Sequence, residues 1–199
     1  MRVFLGITGA SGAPYAKGLL TALAGAGCEV GLCASAAGIE VLATELYGDA
    51  ALHPNEVVER LLGETGSRDH VTLYATDDWR SPYASGSAKV EAYVICPCSM
   101  ATVGTLASGA MNNLIHRAAS VAIKERRKLV LVPRETPLSS IHLRGLATLH
   151  EAGAVVLFAA PGFYHGPETI QDLVDFVVAR ALDQLGIDNT MVRRWGSDT

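Results

Sequence analysis

The feature that most constrains this chain is a short apolar run with an abrupt end. Leu129-Val130-Leu131-Val132 is β-branched at alternate positions and stops at Pro133. A run this short and this apolar suits a parallel strand covered on both faces. Arg134-Glu135-Thr136-Pro137 follows just past the strand's carboxyl end, which is where open α/β sheets bind ligands. Charge gathers in the same place. Between Arg117 and Arg134 stand six basic residues (Arg117, Lys124, Arg126, Arg127, Lys128, Arg134) and one acid, Glu125, in a chain of formal net charge -4. A local cationic cluster at a strand end suits an anionic small molecule, most simply a phosphate. A solvated helix end accounts for Arg126, Arg127 and Lys128. It does not account for Arg134, which lies beyond the strand.

The same strand–turn–helix order recurs along the chain. Val3 to Ile7 reads as a strand and Thr8-Gly9-Ala10-Ser11-Gly12-Ala13 as a glycine-rich turn, with a helix to about Ala24. Such a turn aims backbone N–H groups and a helix N-terminus at an anion. The alternative is a plain tight turn with Ser11 as N-cap. Glu29 to Cys33 is a second strand, and Ser35 caps a helix through Leu46. Glu45, on that helix, is by default a solvated residue. His53-Pro54 starts a helix, and Val71 to Tyr74 reads as a third strand. Trp79 to Ser87 reads as a loop, in a position to act as a lid.

Ala92 to Ile95 is a fourth strand, ending in Cys96-Pro97-Cys98-Ser99-Met100-Ala101-Thr102. Ser99 and Thr102 can bond a phosphate or a polar ring edge, or cap a helix. A helix is expected from about Leu114 to Lys128. Arg117 and Lys124 are seven apart on it, two turns that return to nearly the same face, so both can point at one anion. Ser139 to Ala152 reads as a helix, Ala154 to Phe158 as a strand and Pro161 to His165 as a loop. Glu168 to Leu185 is an amphipathic helix closed by Gly186. Arg180 lies on it, and its plain role is an i,i+3 pair with Asp183. The tail Met191 to Gly196 frays unless it docks. This order predicts an α/β fold, three layers deep, with a doubly wound, mostly parallel sheet of Rossmann-like type. The expected organisation is one domain over residues 1–199 with a tail from about 187.

Composition narrows the context. The 199 residues, 49% hydrophobic and 18% charged, suffice for one α/β domain and suit a chain that hides surface in an oligomer. No run reaches the roughly 18 apolar residues of a membrane span, and the N-terminus lacks a signal-peptide layout. A cytoplasmic protein is expected, with neither membrane nor nucleic acid as partner. Cys28, Cys33, Cys96 and Cys98 read as reduced, mostly buried thiols. Cys96-Pro97-Cys98 has neither zinc-knuckle nor redox CxxC spacing, and no clustered ligand set for a metal is seen.

Together these segments resemble the UbiX-type flavin prenyltransferases, within the flavoprotein fold of the homo-oligomeric flavin-containing cysteine decarboxylases. The resemblance is carried in order by GITGASGA, ATE around Glu45, DDWRSPYASGS, CPCSMAT, GAMNNLIHRAA, KERRKLVLVPRETPLSSIHL, APGFYH, DLVDFVVAR and the closing RRWG. It implies that reduced FMN is a substrate. Dimethylallyl phosphate alkylates its N5, and the chain closes onto C6 to give prenyl-FMN for a UbiD-type decarboxylase, without a metal.

An allylic phosphate leaves as a dianion, so such a site needs fixed cations and a proton donor. By resemblance, Ser11, Glu45, Glu135 and Lys124 are catalytic, with Glu135 as the acid/base. FMN would lie across Gly9, Ala10 and Ser11, Ser35, Ser99, Met100, Ala101, Thr102 and Arg134. Arg117, Lys124, Tyr164, Arg180 and Trp195 would serve dimethylallyl phosphate, with Trp79 as a further apolar wall. The resemblance also implies a dodecamer whose neighbouring subunits complete each site. Ser120 departs from the acid common at its position, which bears on subunit packing or charge balance. Two other readings belong to the same fold: an FMN-dependent cysteine decarboxylase of the phosphopantothenoylcysteine type, and a non-catalytic FMN carrier subunit. The first typically has a PASANT-like segment and a catalytic histidine, neither of which is found here. The second leaves Lys124, Arg134, Glu135, Tyr164 and Arg180 unexplained.

Overall fold

In the computed structural model, residues 1–194 and 196 are described. Among these residues six strands form one sheet: β1 (Arg2–Ile7), β2 (Glu29–Ala34), β3 (Val71–Leu73), β4 (Ala92–Cys98), β5 (Lys128–Pro133) and β6 (Val155–Val156). Their order is β3-β2-β1-β4-β5-β6, and every pairing is parallel. The expected mostly parallel sheet is therefore parallel throughout among the described residues. The order reverses direction between β1 and β4, which opens a crevice at the carboxyl edge of the sheet.

Among the described residues seven α-helices cover the sheet: α1 (Ala13–Gly25), α2 (Ala36–Tyr47), α3 (Pro54–Glu64), α4 (Met100–Ala107), α5 (Leu114–Lys124), α6 (Ser140–Glu151) and α7 (Ile170–Leu185). The strand period of two sorts side chains between two cores. Val3, Leu5 and Ile7 join Leu32, Val94, Val130 and Val132 under α1, α2, α3 and α7. Phe4, Tyr93, Ile95, Leu129 and Leu131 turn to the other face, under α4, α5 and α6. Each fully buried aliphatic or aromatic side chain contributes about 1.5–3 kcal/mol. An unbroken apolar run such as Leu129 to Val132 is therefore what a strand with two buried faces requires.

Some expected boundaries move, and one loop is held down. The helix expected to run to Lys128 stops at Lys124, because Arg126 adopts a left-handed φ of 53°. Strand β6 covers only Val155–Val156, although bonds from Leu157 N to Leu131 O and Ala159 N to Pro133 O continue the contact. It is an edge strand, and pairing on one side alone supports less regular structure. The Trp79–Ser87 segment is not free to act as a lid along its length. Tyr83 at its centre is 3% exposed and packs on Phe4 at a ring-centroid distance of 5.1 Å.

The three basic residues read as a solvated helix end divide. Arg127 donates to Gly86 O at 2.5 Å and Tyr93 Oη at 3.1 Å. Lys128 Nζ donates to Leu185 O at 3.0 Å, the last residue of α7, where a cation complements the helix dipole. Only Arg126 keeps the plain reading. The four cysteines are free and buried, as expected.

Candidate active site

The first turn carries out its expected anion-binding chemistry on a residue of the chain itself. Gly9 lets the turn approach α2, since a Cβ there would meet the Ala37 Cβ at 2.5 Å. Gly12, at φ 135°, is the N-cap of α1, and no side chain caps it, so the alternative reading of Ser11 as a plain cap does not hold. A β-carbon at that φ would be strained, and Ser11 stands one residue too early to cap. The open N–H groups are taken by Glu45. Its Oε2 accepts from Gly12 N at 2.9 Å and Ala13 N at 2.8 Å. Partial burial pushes the Glu45 carboxyl up, but hydrogen bonds from the Ser11 hydroxyl and the two amides, with the Arg134 charge, outweigh it and hold it below the usual carboxylate range. Glu45 stays exposed, as its default reading has it, but it is an anion fixed at a helix N-terminus.

Around this cluster the expected crevice residues fall at one edge of the sheet. Ser35 caps α2 through Gly38 N at 3.0 Å. Ser99 caps α4, accepting from Thr102 N at 3.3 Å, with the Thr102 hydroxyl 3.1 Å away. Met100 and Thr102 are buried and Ala101 is exposed. Thr8, which the sequence reading passed over, ties the two turns together. Its buried hydroxyl donates to Pro97 O at 3.0 Å and accepts from Ser99 N at 2.7 Å. The only sequence signal for it is a hydroxyl directly after a strand run. Arg134 Nε reaches Ser11 O at 3.4 Å, so its charge serves the Ser11–Glu45 side. Glu135 accepts from Thr136 N at 3.1 Å and is half-buried.

Arg117 and Lys124 are not brought to that crevice by their own chain. Arg117 Nε donates to Ala84 O at 2.9 Å, and Lys124 pairs with Glu125. Lys124 and Arg134 flank β5, whose six residues span roughly 20 Å. Both helix cations face the 79–87 loop, Arg117 at Ala84 O and Lys124 beside Gly86, so they share one face of α5. A second group assembles around α7. Tyr164 and Arg180 line one cavity of about 270 Å³, with Phe176, Asp183, Arg193 and Arg194. Arg180 makes the plain i,i+3 pair with Asp183, at 2.8 Å. The tail docks here through Arg194 and Asn189, both on Asp183. His165 beside it keeps both ring nitrogens buried without a hydrogen-bond partner and stacks on Phe176 at 5.2 Å. Trp79 is 51% exposed, and Trp195 lies outside the described residues. Among the described residues no three His, Cys, Asp or Glu side chains gather as for a metal, and no helix is long and apolar enough to cross a membrane.

The Flavoprotein family model matches residues 1–182. The Pseudomonas aeruginosa protein named flavin prenyltransferase UbiX is 50% identical over 196 residues, 98% of this chain and 94% of that one. The crystal structure of AnUbiX (PadA1) in complex with FMN and dimethylallyl pyrophosphate superposes with a TM-score of 0.86 at 36% identity, covering 100% of this chain and 98% of that one. A dodecameric FMN-dependent UbiX-like decarboxylase from Escherichia coli gives 0.85 at 37% identity, covering 99% and 100%.

Proposed function

The chain belongs to the flavoprotein family as one of its UbiX-type flavin prenyltransferases, and from that premise we propose how its residues divide the work on FMN and dimethylallyl phosphate. It is a transferase that uses FMN. The donor set at the carboxyl edge suits that group. Arg134 lies beside the Ser11 turn, and the capped N-termini of α2 and α4 open at the same switch point. The α1 N-terminus is held by Glu45, so anion binding falls to Arg134 and the first-turn amides of α2 and α4. Reduced FMN supplies the nucleophilic N5 and C6.

Dimethylallyl phosphate must lose its C1–O bond, with the electron pair leaving on phosphate. Tyr164 and Arg180 hold that phosphate by a hydroxyl and a guanidinium fork. Glu135 moves the proton, giving one to the departing phosphate and taking one as the ring closes. Ser11 and Glu45 hold a second polar pair against the turn. Arg117 and Lys124 come from a neighbouring subunit of a dodecamer, which the length of β5 between Lys124 and Arg134 supports, as does the orphaned His165 imidazole. Prenyl-FMN is passed to a UbiD-type decarboxylase. We place the enzyme in the cytoplasm as a single domain over 1–199, with which its four free, buried cysteines agree.

The observation that carries this reading is Tyr164 and Arg180 on one cationic cavity in a chain 50% identical to a flavin prenyltransferase. Anaerobic incubation with reduced FMN and dimethylallyl phosphate tests it. The expected product is a flavin heavier by one C5 unit. An unchanged flavin leaves a carrier, and decarboxylation of phosphopantothenoylcysteine identifies the cysteine decarboxylase instead.

A further inference from the structure

We infer that Asp183 is the positioning residue for the phosphate end of the site, aiming the Arg180 guanidinium and recruiting Arg194 of the C-terminal segment as a second one. The inference rests on the prenyltransferase reading of the cavity beside Tyr164.

Asp183 is more shielded than either arginine it holds. Its side chain is 18% exposed, against 50% for Arg180 and 57% for Arg194. Its Oδ2 accepts from Arg180 NH1 at 2.8 Å and from Arg194 NH1 at 3.4 Å. Its Oδ1 accepts from Arg194 NH2 at 2.9 Å and from Asn189 Nδ2 at 3.1 Å. A lone i,i+3 pair on a helix surface is worth only a few tenths of a kcal/mol. This carboxylate does more, because two of its partners come from six and eleven residues along the chain. It draws the returning segment onto α7 at the position of Arg180.

The charges show what such a point is for. Among the described residues, three arginines, Arg180, Arg193 and Arg194, line the cavity beside Asp183. Guanidiniums this close repel one another, so the cluster needs a carboxylate to hold it before a ligand arrives. Asp183 engages one of the five N–H donors of Arg180, which leaves the fork able to grip a phosphate. Asp183 thus fixes the direction of Arg180 without consuming it. Docking of the Asn189–Arg194 segment and capture of the phosphate become one coupled event.

The test begins with the wild-type holoenzyme. If it makes no C5-heavier flavin, the prenyltransferase reading has failed, separately from this inference. If it does, Asp183→Asn at saturating reduced FMN is expected to raise KM for dimethylallyl phosphate about tenfold or more, with kcat nearly unchanged. FMN affinity stays at the wild-type value. Arg194→Gln shifts KM the same way, about threefold to tenfold, and the double variant is no worse than Asp183→Asn alone. Asp183→Glu restores most of the lost affinity. Should Asp183→Asn not fold, Arg194→Gln and Asp183→Glu carry the measurement. An unchanged or lowered KM in the folded variants overturns the inference. So do equal losses for FMN and dimethylallyl phosphate, which would make the cluster a purely structural tie.

Discussion

The two ends of β5 start from similar sequence and reach opposite arrangements. At its carboxyl end, Arg134 meets Ser11 from the first turn and, through it, Glu45 from α2. Three segments far apart in the chain build one polar cluster around a helix N-terminus. At the amino end, Lys124 pairs with its own neighbour Glu125, while Arg117 and Arg127 bond backbone carbonyls of the loop around Tyr83. Within one basic stretch, Arg134 thus turns to the first turn while Arg117 and Arg127 clasp a loop. Charge density along a sequence is not charge density in space. The topology separates the two ends by the length of a strand.

The largest effect is expected at the carboxyl end, from Glu135→Gln. It keeps shape and hydrogen-bonding capacity and removes the proton. General acid–base groups contribute about 10²–10⁴-fold, so kcat should fall by that factor while both ligands still bind, as read by anaerobic single-turnover spectra and titration. If Glu135 were only a counter-ion for Arg134, FMN binding would weaken instead. The geometry speaks against the counter-ion, since Arg134 turns to Ser11 O and Glu135 accepts from Thr136 N.

Next is Lys124→Ala, which asks whether the amino end serves a site at all. Loss of one charge-assisted contact to phosphate costs about 1.5–3 kcal/mol, roughly 10–100-fold in kcat/KM for dimethylallyl phosphate. Mixing is the sharper measurement. If Lys124 acts in a neighbour's site, co-assembly of Lys124→Ala with Arg180→Ala restores about one quarter of the sites. No recovery, in subunits shown to exchange, would confine each cation to its own chain.

Local structure was legible because its causes are local. The apolar runs of β1, β2, β4 and β5, the caps Ser35 and Ser99, and the Gly186 stop each follow from neighbouring residues. What escaped was every contact between distant segments. The bond of Glu45 to Gly12 spans 33 residues and that of Arg127 to Gly86 spans 41. No periodicity carries such information. Asp183 was visible only as the i,i+3 partner of Arg180, because the spacing to Arg194 follows no helical repeat once Gly186 ends α7. The family resemblance raised Ser11, Glu45 and Arg180 above their plain readings, but it gave no hint that Glu45 occupies the anion position of the first turn.

A smaller effect tests the clasp. Arg127→Gln removes a half-buried cation bonded to Gly86 O and Tyr93 Oη. Hydrogen bonds to charged groups are worth about 1.5–3 kcal/mol, and a glutamine recovers part of that. Denaturant unfolding should show a loss of about 1–2 kcal/mol with FMN affinity retained. Equal loss of FMN binding would mean that the clasp and the crevice are one unit, and the contrast between the two ends of β5 would dissolve.

The smallest effect belongs to Glu45 and is separated by its pH dependence. A carboxyl held below its ordinary value in the folded protein contributes stability that is fully present above the unfolded value, about 4.3. That stability is lost as pH falls through the depressed folded value. Glu45→Gln keeps an acceptor for Gly12 N and Ala13 N but loses the charge that faces the α1 N-terminus and Arg134. A charge at a helix end contributes about 0.3–1 kcal/mol. At neutral pH the variant should be less stable by that amount, and as pH falls through the depressed folded value the wild type should approach it. The same substitution distinguishes the two ends of β5. If Glu45 is a fixed part of the flavin crevice, the gap between wild type and variant widens when FMN is added, because a ligand stabilises the folded state more the more tightly it binds, as the logarithm of its affinity. A gap unchanged by FMN would make Glu45 a helix cap alone, and the carboxyl end of β5 would then hold no more of the site than Arg134 and Glu135.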